Sequence, residues 1–281
     1  MLTSDKIFSL YQNSVVKIIS KGAQGTSQGS GVIIKEMNLI VTNFHVLNYN
    51  LDLKISLNNK DIEYDSLFAF DPTNDLLLIK LPESYPHDSN SFQLTTDNKA
   101  GEIIYTIGYP LGFDATITNG LLNGLNSNHD KSFSTLKNFN KNWLRFDAPI
   151  SEGNSGGALV NASGELIGIT TSTHTKGQNI NFAIPIGEVV NLYQNENSVD
   201  LPQELRHHFL LYSISFLAGN YTKALLHIDK CIQVSTGLST YLFLSKKTHL
   251  LFLTENDKVK SLLEKIIPQI EKLGESVKDE P

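Results

Sequence analysis

Short hydrophobic runs separated by polar breaks dominate the first 190 residues. The runs are rich in β-branched and aromatic side chains, are bounded by Gly, Asn, Asp and Pro, and show no long helical period. Examples lie at residues 14–20, 31–35, 39–42, 51–57, 76–81, 103–108, 144–147, 166–171 and 181–184. Many short strands with turn signals between them predict an antiparallel barrel or sandwich. The polar, turn-rich stretch at 82–100 is predicted to separate two halves of one domain, residues 1–195.

The period of the hydrophobic positions changes after residue 200. Pro202 can open a helix, and apolar residues then recur three or four positions apart, as on one face of a helix. Similar stripes follow the Gly219-Asn220 pair, then lie at about 240–253, and again at 259–267 before Pro268. Residues 201–281 are therefore predicted to form a small all-α module of about four helices.

Composition and charge mainly exclude certain classes of protein and of binding site. Hydrophobic residues make up 40% and charged residues 19% of the chain, as in a globular protein and unlike a disordered one. A net charge of −6 gives no electrostatic footprint for a phosphate backbone, so nucleic acid is not an expected partner. Cys231 is the only cysteine, which excludes an internal disulfide and a cysteine-rich zinc site. His207, His208 and His227 lack a further ligand set at metal spacing, and we expect neither a metal nor a cofactor.

The sequence carries no visible targeting or membrane signal. The first eight residues have neither the cationic start nor the apolar run of a signal peptide. No stretch approaches the roughly 18 apolar residues of a membrane helix. We therefore expect a cytoplasmic protein that does not contact a membrane, or a periplasmic or secreted one if the chain is a trimmed form.

The segment GNSGG at 153–157 is a candidate for nucleophilic chemistry. A serine nucleophile needs a base, a group that orients the base, and amide donors for the developing oxyanion. A serine in a tight glycine-flanked turn exposes its hydroxyl, and the N–H groups of Gly153 and Ser155 can converge on one point. Taken alone, an ordinary turn between two strands explains the segment equally well.

Two further segments supply the missing groups. His45 follows directly on an apolar strand, and Asp75 immediately precedes another. Each alone has a simpler interpretation, a hydrogen-bonded core histidine and a turn aspartate. The joint occurrence of all three residues, in the order His, Asp, Ser, has no such simple interpretation. Asp75 follows His45 by 30 residues, and Ser155 follows Asp75 by 80. That order is one of the known chain orders of catalytic triads.

Taken together, these segments resemble the HtrA (DegP-like) branch of the trypsin-like serine proteases. The resemblance covers residues 5–192 and rests on segments that follow the motifs of that branch in order. They lie at 29–34 (GSGVII), 42–46 (TNFHV), 71–80 (DPTNDLLLIK), 108–112 (GYPLG), 153–169 (GNSGGALVNASGELIGI) and 181–185 (NFAIP).

The resemblance implies a mainly β fold, a chymotrypsin-like double six-stranded antiparallel β-barrel with the active site in the cleft between the barrels. It implies a triad of His45, Asp75 and Ser155, and an oxyanion hole of Gly153 and Ser155. It also implies a serine endopeptidase that cleaves unfolded or partner proteins, as in protein quality control.

The chain departs from the pattern of the branch in two places. Ser151-Glu152 stands where the branch commonly has Asn-Pro. No PDZ-like stretch follows the protease region, because the residues after 200 have a helical period. Asn154 also lacks the charge with which a zymogen-type aspartate pairs a new N-terminal amine, so activation by that route is not expected.

The primary specificity pocket can be located by the same resemblance. Its floor lies a few residues before the nucleophile, at Pro149 and Ile150, and its far wall on the strand after it, at Ile169, Thr170 and Thr171. Because no acidic residue sits at the floor, a small or medium aliphatic side chain is the expected occupant. Glu152, nearer the rim, could still attract basic residues.

The helical module has a partial resemblance of its own. Gly219 to Ala224, with Ile228 and Cys231, is similar to the second half of a tetratricopeptide repeat, although a generic helical hairpin explains the pattern equally well. We expect the module to bind a protein partner or a second copy. The alternative function is a protease-like scaffold that acts mainly as a peptide-binding or adaptor protein. An intact triad argues against it, because a scaffold has no physical need for one.

Overall fold

The computed structural model divides the chain into two compact units, Met1–Val199 and Asp200–Pro281. It describes residues 1–22, 25–48, 52–127, 143–173, 180–197 and 203–235, together with residues 243, 244, 246, 247 and 250. In the part of the chain so described, no helix combines the length and the apolar composition needed to cross a membrane.

The first unit begins with helix α1 (Ser4–Tyr11) and a seven-stranded antiparallel sheet. Its spatial order is β5-β4-β1-β2-β3-β7-β6. The strands are β1 Val15–Gly22, β2 Gly25–Ile34, β3 Leu39–Thr42, β4 Asp52–Leu57, β5 Lys60–Ile62, β6 Ser66–Asp71 and β7 Leu76–Lys80. The central strands β3 and β7 consist almost entirely of buried Leu, Ile and Val, which suits a strand covered on both faces.

A closed six-stranded antiparallel barrel follows, and helix α2 (Ile186–Asn197) ends the unit. The barrel order is β10-β13-β12-β11-β8-β9. The strands are β8 Ile103–Gly108, β9 Thr116–Ser127, β10 Trp143–Phe146, β11 Ala158–Asn161, β12 Leu166–Thr173 and β13 Asn181–Pro185. The predicted mainly β, chymotrypsin-like fold with C-terminal helices is confirmed.

The first sheet differs in detail from the six strands predicted for it. Asn58 and Asn59 both have positive φ, 50° and 63°, and join Leu57 to Lys60 in a two-residue hairpin. Such turns require left-handed residues, which Asn tolerates better than other non-glycine residues. This turn adds the short strand β5, and the sheet therefore has seven strands.

One hydrophobic cluster joins the two sheets of the first unit. It includes Val41 and Leu78 from the first sheet, Ile107 and Ile169 from the barrel, and Ile7 from α1. A second cluster inside the barrel includes Phe146 and Leu159. The shared core fixes the ends of strands β3, β7, β8 and β12 relative to one another.

The second unit contains helices α3 (Gln203–Leu217) and α4 (Tyr221–Val234). Ala224, Ile228 and Cys231 on α4 are buried in one cluster with Leu205 and Tyr212 of α3. Burial raises the pKa of the Cys231 thiol to about 12, so the thiol stays neutral and serves packing. The helices predicted at 240–253 and 259–267 lie outside the described residues, apart from the isolated positions given above.

Candidate active site

The pairing of β3 with β7 brings His45 and Asp75 together. Thr42 at the end of β3 pairs with Leu77 near the start of β7. His45 lies in a short 3₁₀ turn just after β3, and Asp75 immediately precedes β7, so both side chains lie at the same edge of the sheet. His45 and Asp75, which are 30 residues apart in the sequence, are therefore neighbours in space.

The Asp75 carboxylate holds the His45 imidazole by two contacts. Oδ1 accepts the main-chain N–H of His45 at 2.9 Å, and Nδ1 of His45 lies 2.7 Å from Oδ2. An ionised carboxylate only accepts hydrogen bonds, so Nδ1 carries the proton and Nε2 is left as the basic nitrogen. The His45 side chain is 50% exposed, whereas that of Asp75 is 17% exposed.

Asp75 adopts a main-chain conformation that is rare outside glycine. Its φ of 58° lies in the left-handed region, which costs roughly 1–2 kcal/mol for an ordinary residue. Its carbonyl oxygen accepts the Phe44 N–H and the Asn43 Nδ2–H, both at 3.1 Å. Hydrogen bonds to both its side chain and its main chain therefore hold Asp75 in this strained conformation.

A further hydroxyl contacts the carboxylate. Thr171 Oγ1 donates to Oδ2 of Asp75 at 2.7 Å. A register shift between Thr170 and Ser172, opposite β13, interrupts the regular alternation of β12 at this point. The sequence analysis placed Thr171 in the pocket wall and missed this contact. The signal that could have found it is the Thr-Thr pair in a buried apolar strand, where each hydroxyl needs a partner.

The pKa values of Asp75 and His45 are shifted in opposite directions. Burial raises the pKa of Asp75, but the hydrogen bond and charge of His45 and the hydrogen bond of Thr171 outweigh it, and the pKa lies below its ordinary value. Burial lowers the pKa of His45, and the hydrogen bond and charge of Asp75 outweigh that effect and raise it. Asp75 is consequently ionised at neutral pH and stabilises a protonated imidazole.

Ser155 lies on the loop between β10 and β11 and is linked to the other two residues through Thr171. Its Oγ donates to the Thr171 carbonyl oxygen at 2.9 Å. Among the hydrogen bonds of the described residues, none joins Ser155 Oγ to His45. One residue thus contacts the serine with its main chain and the carboxylate with its side chain.

Residues 151–155, called here the nucleophile turn, have every carbonyl oxygen engaged. The donors are Asn154 N to Ser151 O (3.0 Å), Leu111 N to Glu152 O (2.8 Å), Ser30 Oγ to Gly153 O (2.7 Å), Thr170 Oγ1 to Asn154 O (2.6 Å) and Ser30 N to Ser155 O (2.7 Å). The N–H groups of Gly153 and Ser155 donate to no other described atom. Two unengaged N–H groups beside a serine hydroxyl can stabilise an oxyanion.

Gly153 is required by the conformation of the nucleophile turn. Its φ is 95°, and a Cβ at this position would lie 2.4 Å from the Tyr109 carbonyl oxygen. Any other side chain would strain the backbone and collide with Tyr109. The tight turn therefore requires a glycine at this position.

The predicted pocket residues differ in exposure. Pro149 is exposed, and Ile150 is half-buried against the barrel core. Ile169, Thr170 and Thr171 are 0%, 1% and 4% exposed. Residues 169–171 are therefore almost entirely covered, main chain as well as side chains.

No metal site stands out among the residues that the structure describes. They contain no group of three or more His, Cys, Asp or Glu that could hold a metal ion.

Comparisons with known proteins agree with this geometry. The family model described as "Trypsin-like peptidase domain" matches residues 29–169, which include His45, Asp75 and Ser155. "Serine protease Do-like HtrA" of Lactococcus lactis subsp. lactis (strain IL1403) is 33% identical over 192 residues, 64% of this chain and 47% of that protein. "Probable periplasmic serine endoprotease DegP-like" of Buchnera aphidicola subsp. Baizongia pistaciae is 38% identical over 172 residues, 58% of this chain and 35% of that protein. The chain thus spans half or less of the length of these relatives.

Solved structures give the same picture of the fold. A serine endoprotease from Yersinia pestis has a TM-score of 0.57 at 26% identity, covering 70% of this chain and 67% of that one. The HtrA-type protease AlgW with a tripeptide has a TM-score of 0.60 at 28% identity, covering 69% and 63%.

Proposed function

Because the chain belongs to the trypsin-like peptidase domain family, we propose that it is a serine endopeptidase of the HtrA branch. Ser155 is the nucleophile, His45 its general base, and Asp75 the group that holds the imidazole tautomer. The observation that carries the proposal is the 2.7 Å contact between His45 and Asp75, linked through Thr171 to a serine beside two unengaged N–H groups. A non-catalytic scaffold is not favoured, since peptide binding alone does not need this arrangement.

The reaction follows from the geometry. Ser155 Oγ turns from the Thr171 carbonyl toward Nε2 of His45 and attacks the carbonyl carbon of the scissile peptide, while its proton passes to Nε2. The carbonyl oxygen takes the negative charge and accepts the N–H groups of Gly153 and Ser155. The imidazolium then protonates the leaving amine as the C–N bond breaks. Water, deprotonated by the same imidazole, releases the acyl group.

The substrates that we propose are unfolded or partner proteins, as in protein quality control. The similarity to HtrA-type proteases supports this class. The proposed pocket lies between Pro149 with Ile150 and the segment Ile169, Thr170 and Thr171, and neither segment contains an acidic residue.

We also propose that the second unit is a tetratricopeptide-like module that recruits a protein partner or a second copy. The apolar packing of α4 on α3 and the motif from Gly219 to Ala224 support it. Leu217 and Leu226 are 50% and 56% exposed and offer apolar contacts at the surface of these helices.

The enzymatic proposal is tested by labelling with a fluorophosphonate probe, which reacts only with an activated serine. We expect the full chain to be labelled and Ser155→Ala to be unlabelled. Ser155→Ala should also lose roughly a million-fold of kcat on unfolded casein, because triad members act as a unit. Ser163→Ala, a change of an exposed serine in the turn between β11 and β12, is the matched control and should be labelled like the parent. Cleavage of casein by Ser155→Ala at the parent rate would contradict the proposal.

A further inference from the structure

Two buried hydroxyls hold consecutive carbonyl groups of the nucleophile turn. Thr170 on β12 is 1% exposed and donates to the Asn154 oxygen at 2.6 Å. Ser30 on β2 is 0% exposed and donates to the Gly153 oxygen at 2.7 Å. The catalytic steps derived above use neither hydroxyl.

The bond from Thr170 bears directly on one oxyanion donor. A trans peptide is planar, and its C=O and N–H point in opposite directions. The carbonyl of Asn154 belongs to the same peptide as the N–H of Ser155. Holding this oxygen toward Thr170 therefore aims the Ser155 N–H away from Thr170. Gly157 N–H also donates to the same oxygen at 2.9 Å, so Thr170 supplies one of two anchors.

Ser30 anchors the turn from the first sheet. Besides its bond to Gly153 O, its Oγ accepts the Tyr109 N–H at 2.9 Å, and its own N–H donates to Ser155 O at 2.7 Å. Its carbonyl accepts Thr42 Oγ1 at 2.6 Å. Every polar group of Ser30 is therefore used, and two of its bonds end on the nucleophile turn.

The turn needs such anchors because of its glycine. Gly153 permits backbone conformations that other residues do not, so a peptide beside it can rotate at low cost. A donor that must first be rotated into place stabilises an oxyanion less than one already aimed at it. Hydroxyls shielded from water keep their bonds without competition from solvent.

We propose that Thr170 and Ser30 are positioning residues that keep the Ser155 N–H directed at the oxyanion. Thr170 holds the Asn154–Ser155 peptide that carries this N–H, and Ser30 holds the peptides before and after it through Gly153 O and Ser155 O. Their hydroxyl groups act through the main chain of the nucleophile turn. The inference rests on the proposed function, because an oxyanion forms only if Ser155 attacks a carbonyl.

Thr170→Val and Thr170→Ser form a matched pair that separates this role from packing. Valine keeps the shape and strand preference of threonine without the hydroxyl, and serine keeps the hydroxyl without the methyl group. We expect Thr170→Val to lower kcat by about 10- to 100-fold, less than the loss of an oxyanion donor itself, with KM within about threefold of the parent. Thr170→Ser should keep kcat within about threefold. The affinity for a peptide aldehyde, whose adduct carries an oxyanion, should fall in Thr170→Val by the same factor as kcat/KM.

Ser30→Ala is an independent variant with the same expected loss of kcat. Ser14→Ala is its control, because Ser14 is equally buried and donates to Asn90 O at 2.6 Å without contacting the nucleophile turn. It should retain the parent kcat, and thermal unfolding should place all four variants above the assay temperature.

The opposite ranking overturns the inference: a normal kcat in Thr170→Val with a loss in Thr170→Ser identifies a packing role. Parent-like aldehyde affinity in both Thr170→Val and Ser30→Ala overturns it as well. A failure of the proposed function is distinguishable, since the parent itself would then be neither labelled by the fluorophosphonate nor inhibited by the aldehyde.

Discussion

At the scale of single residues, the site depends on backbone conformations that most side chains disfavour. Asp75 has a φ of 58° and Gly153 a φ of 95°, and each is held by hydrogen bonds from outside its own strand or turn. The strain at Asp75 is offset because its carboxylate and its carbonyl both have partners. Asp75 thus has its left-handed conformation at the point where its carboxylate contacts His45, in the turn that follows β3.

Asp75→Asn isolates the charge of the triad aspartate from its conformation. Asparagine tolerates the left-handed region, so the fold should be kept. The amide no longer enforces the imidazole tautomer, and we expect kcat to fall by about 10⁴-fold. Asp61→Asn, at an exposed residue paired with Lys54, is the control and should change nothing.

The pH profile of the same variant gives a second readout. Activity requires the neutral imidazole, whose pKa in the parent lies above the ordinary value of 6.5, so kcat/KM should rise with pH to a midpoint above 6.5. In Asp75→Asn only the effect of burial, which lowers the pKa, remains, and the midpoint should move below 6.5. An unchanged midpoint would show that the carboxylate does not control the titration of His45.

At the scale of elements, β12 places three successive side chains in three different environments. Ile169 enters the shared core, Thr170 donates to the nucleophile turn, and Thr171 donates to Asp75. The register shift between Thr170 and Ser172 interrupts the two-residue alternation at this point.

The substrate residue before the scissile bond should be a small or medium aliphatic one. Burying a Val or Leu side chain contributes roughly 1.5–3 kcal/mol, whereas a Lys or Arg would lose its hydration without a counter-charge at the pocket floor. Mass-spectrometric profiling of cleavage sites in a denatured protein mixture measures this preference. Glu152→Gln should reduce any cleavage after Lys or Arg, because the Glu152 carboxylate at the proposed rim is the acidic group that could attract basic residues. A dominant preference for Lys or Arg would contradict the assignment of Pro149 and Ile150.

The elements also show how far the sequence could predict the structure. The predicted strands at 39–42 and 103–108 coincide with β3 and β8, since continuous apolar runs between turn residues mark buried strands. Strand β5 was missed because it is short and polar and depends on an Asn-Asn turn. His45, Asp75 and Ser155 could be named from their motifs. The roles of Thr171, Thr170 and Ser30 could not, because they arise from contacts between residues up to 123 positions apart.

At the scale of the whole molecule, two units have separate cores. The first combines both sheets with α1 and α2, and the second packs α3 on α4. Among the residues that the structure describes, each of the three clusters given above draws on one unit only. This separation indicates that the chemistry and the proposed recruitment belong to different parts of the chain.

Deleting the chain from residue 201 should therefore separate recruitment from chemistry. We expect Ser155 to remain reactive toward a fluorophosphonate, because every residue of the site lies before Val199. The oligomeric size or the binding of a partner should change, as measured by light scattering and by affinity capture with the full chain as control. A truncated protein that keeps its native mass and its partners would show that the second unit has neither role.

The core shared by the two sheets has a consequence for what the active site reports. His45 and Asp75 come from the first sheet, and Ser155 comes from the barrel. The two residues that hold the nucleophile turn come from both, Ser30 from the first sheet and Thr170 from the barrel. Neither half of the unit carries a reactive constellation by itself. If Ser155 is the nucleophile as proposed, it becomes reactive only when both halves are folded and docked. On that proposal, a nascent or damaged chain cannot cleave its neighbours until its own assembly is complete.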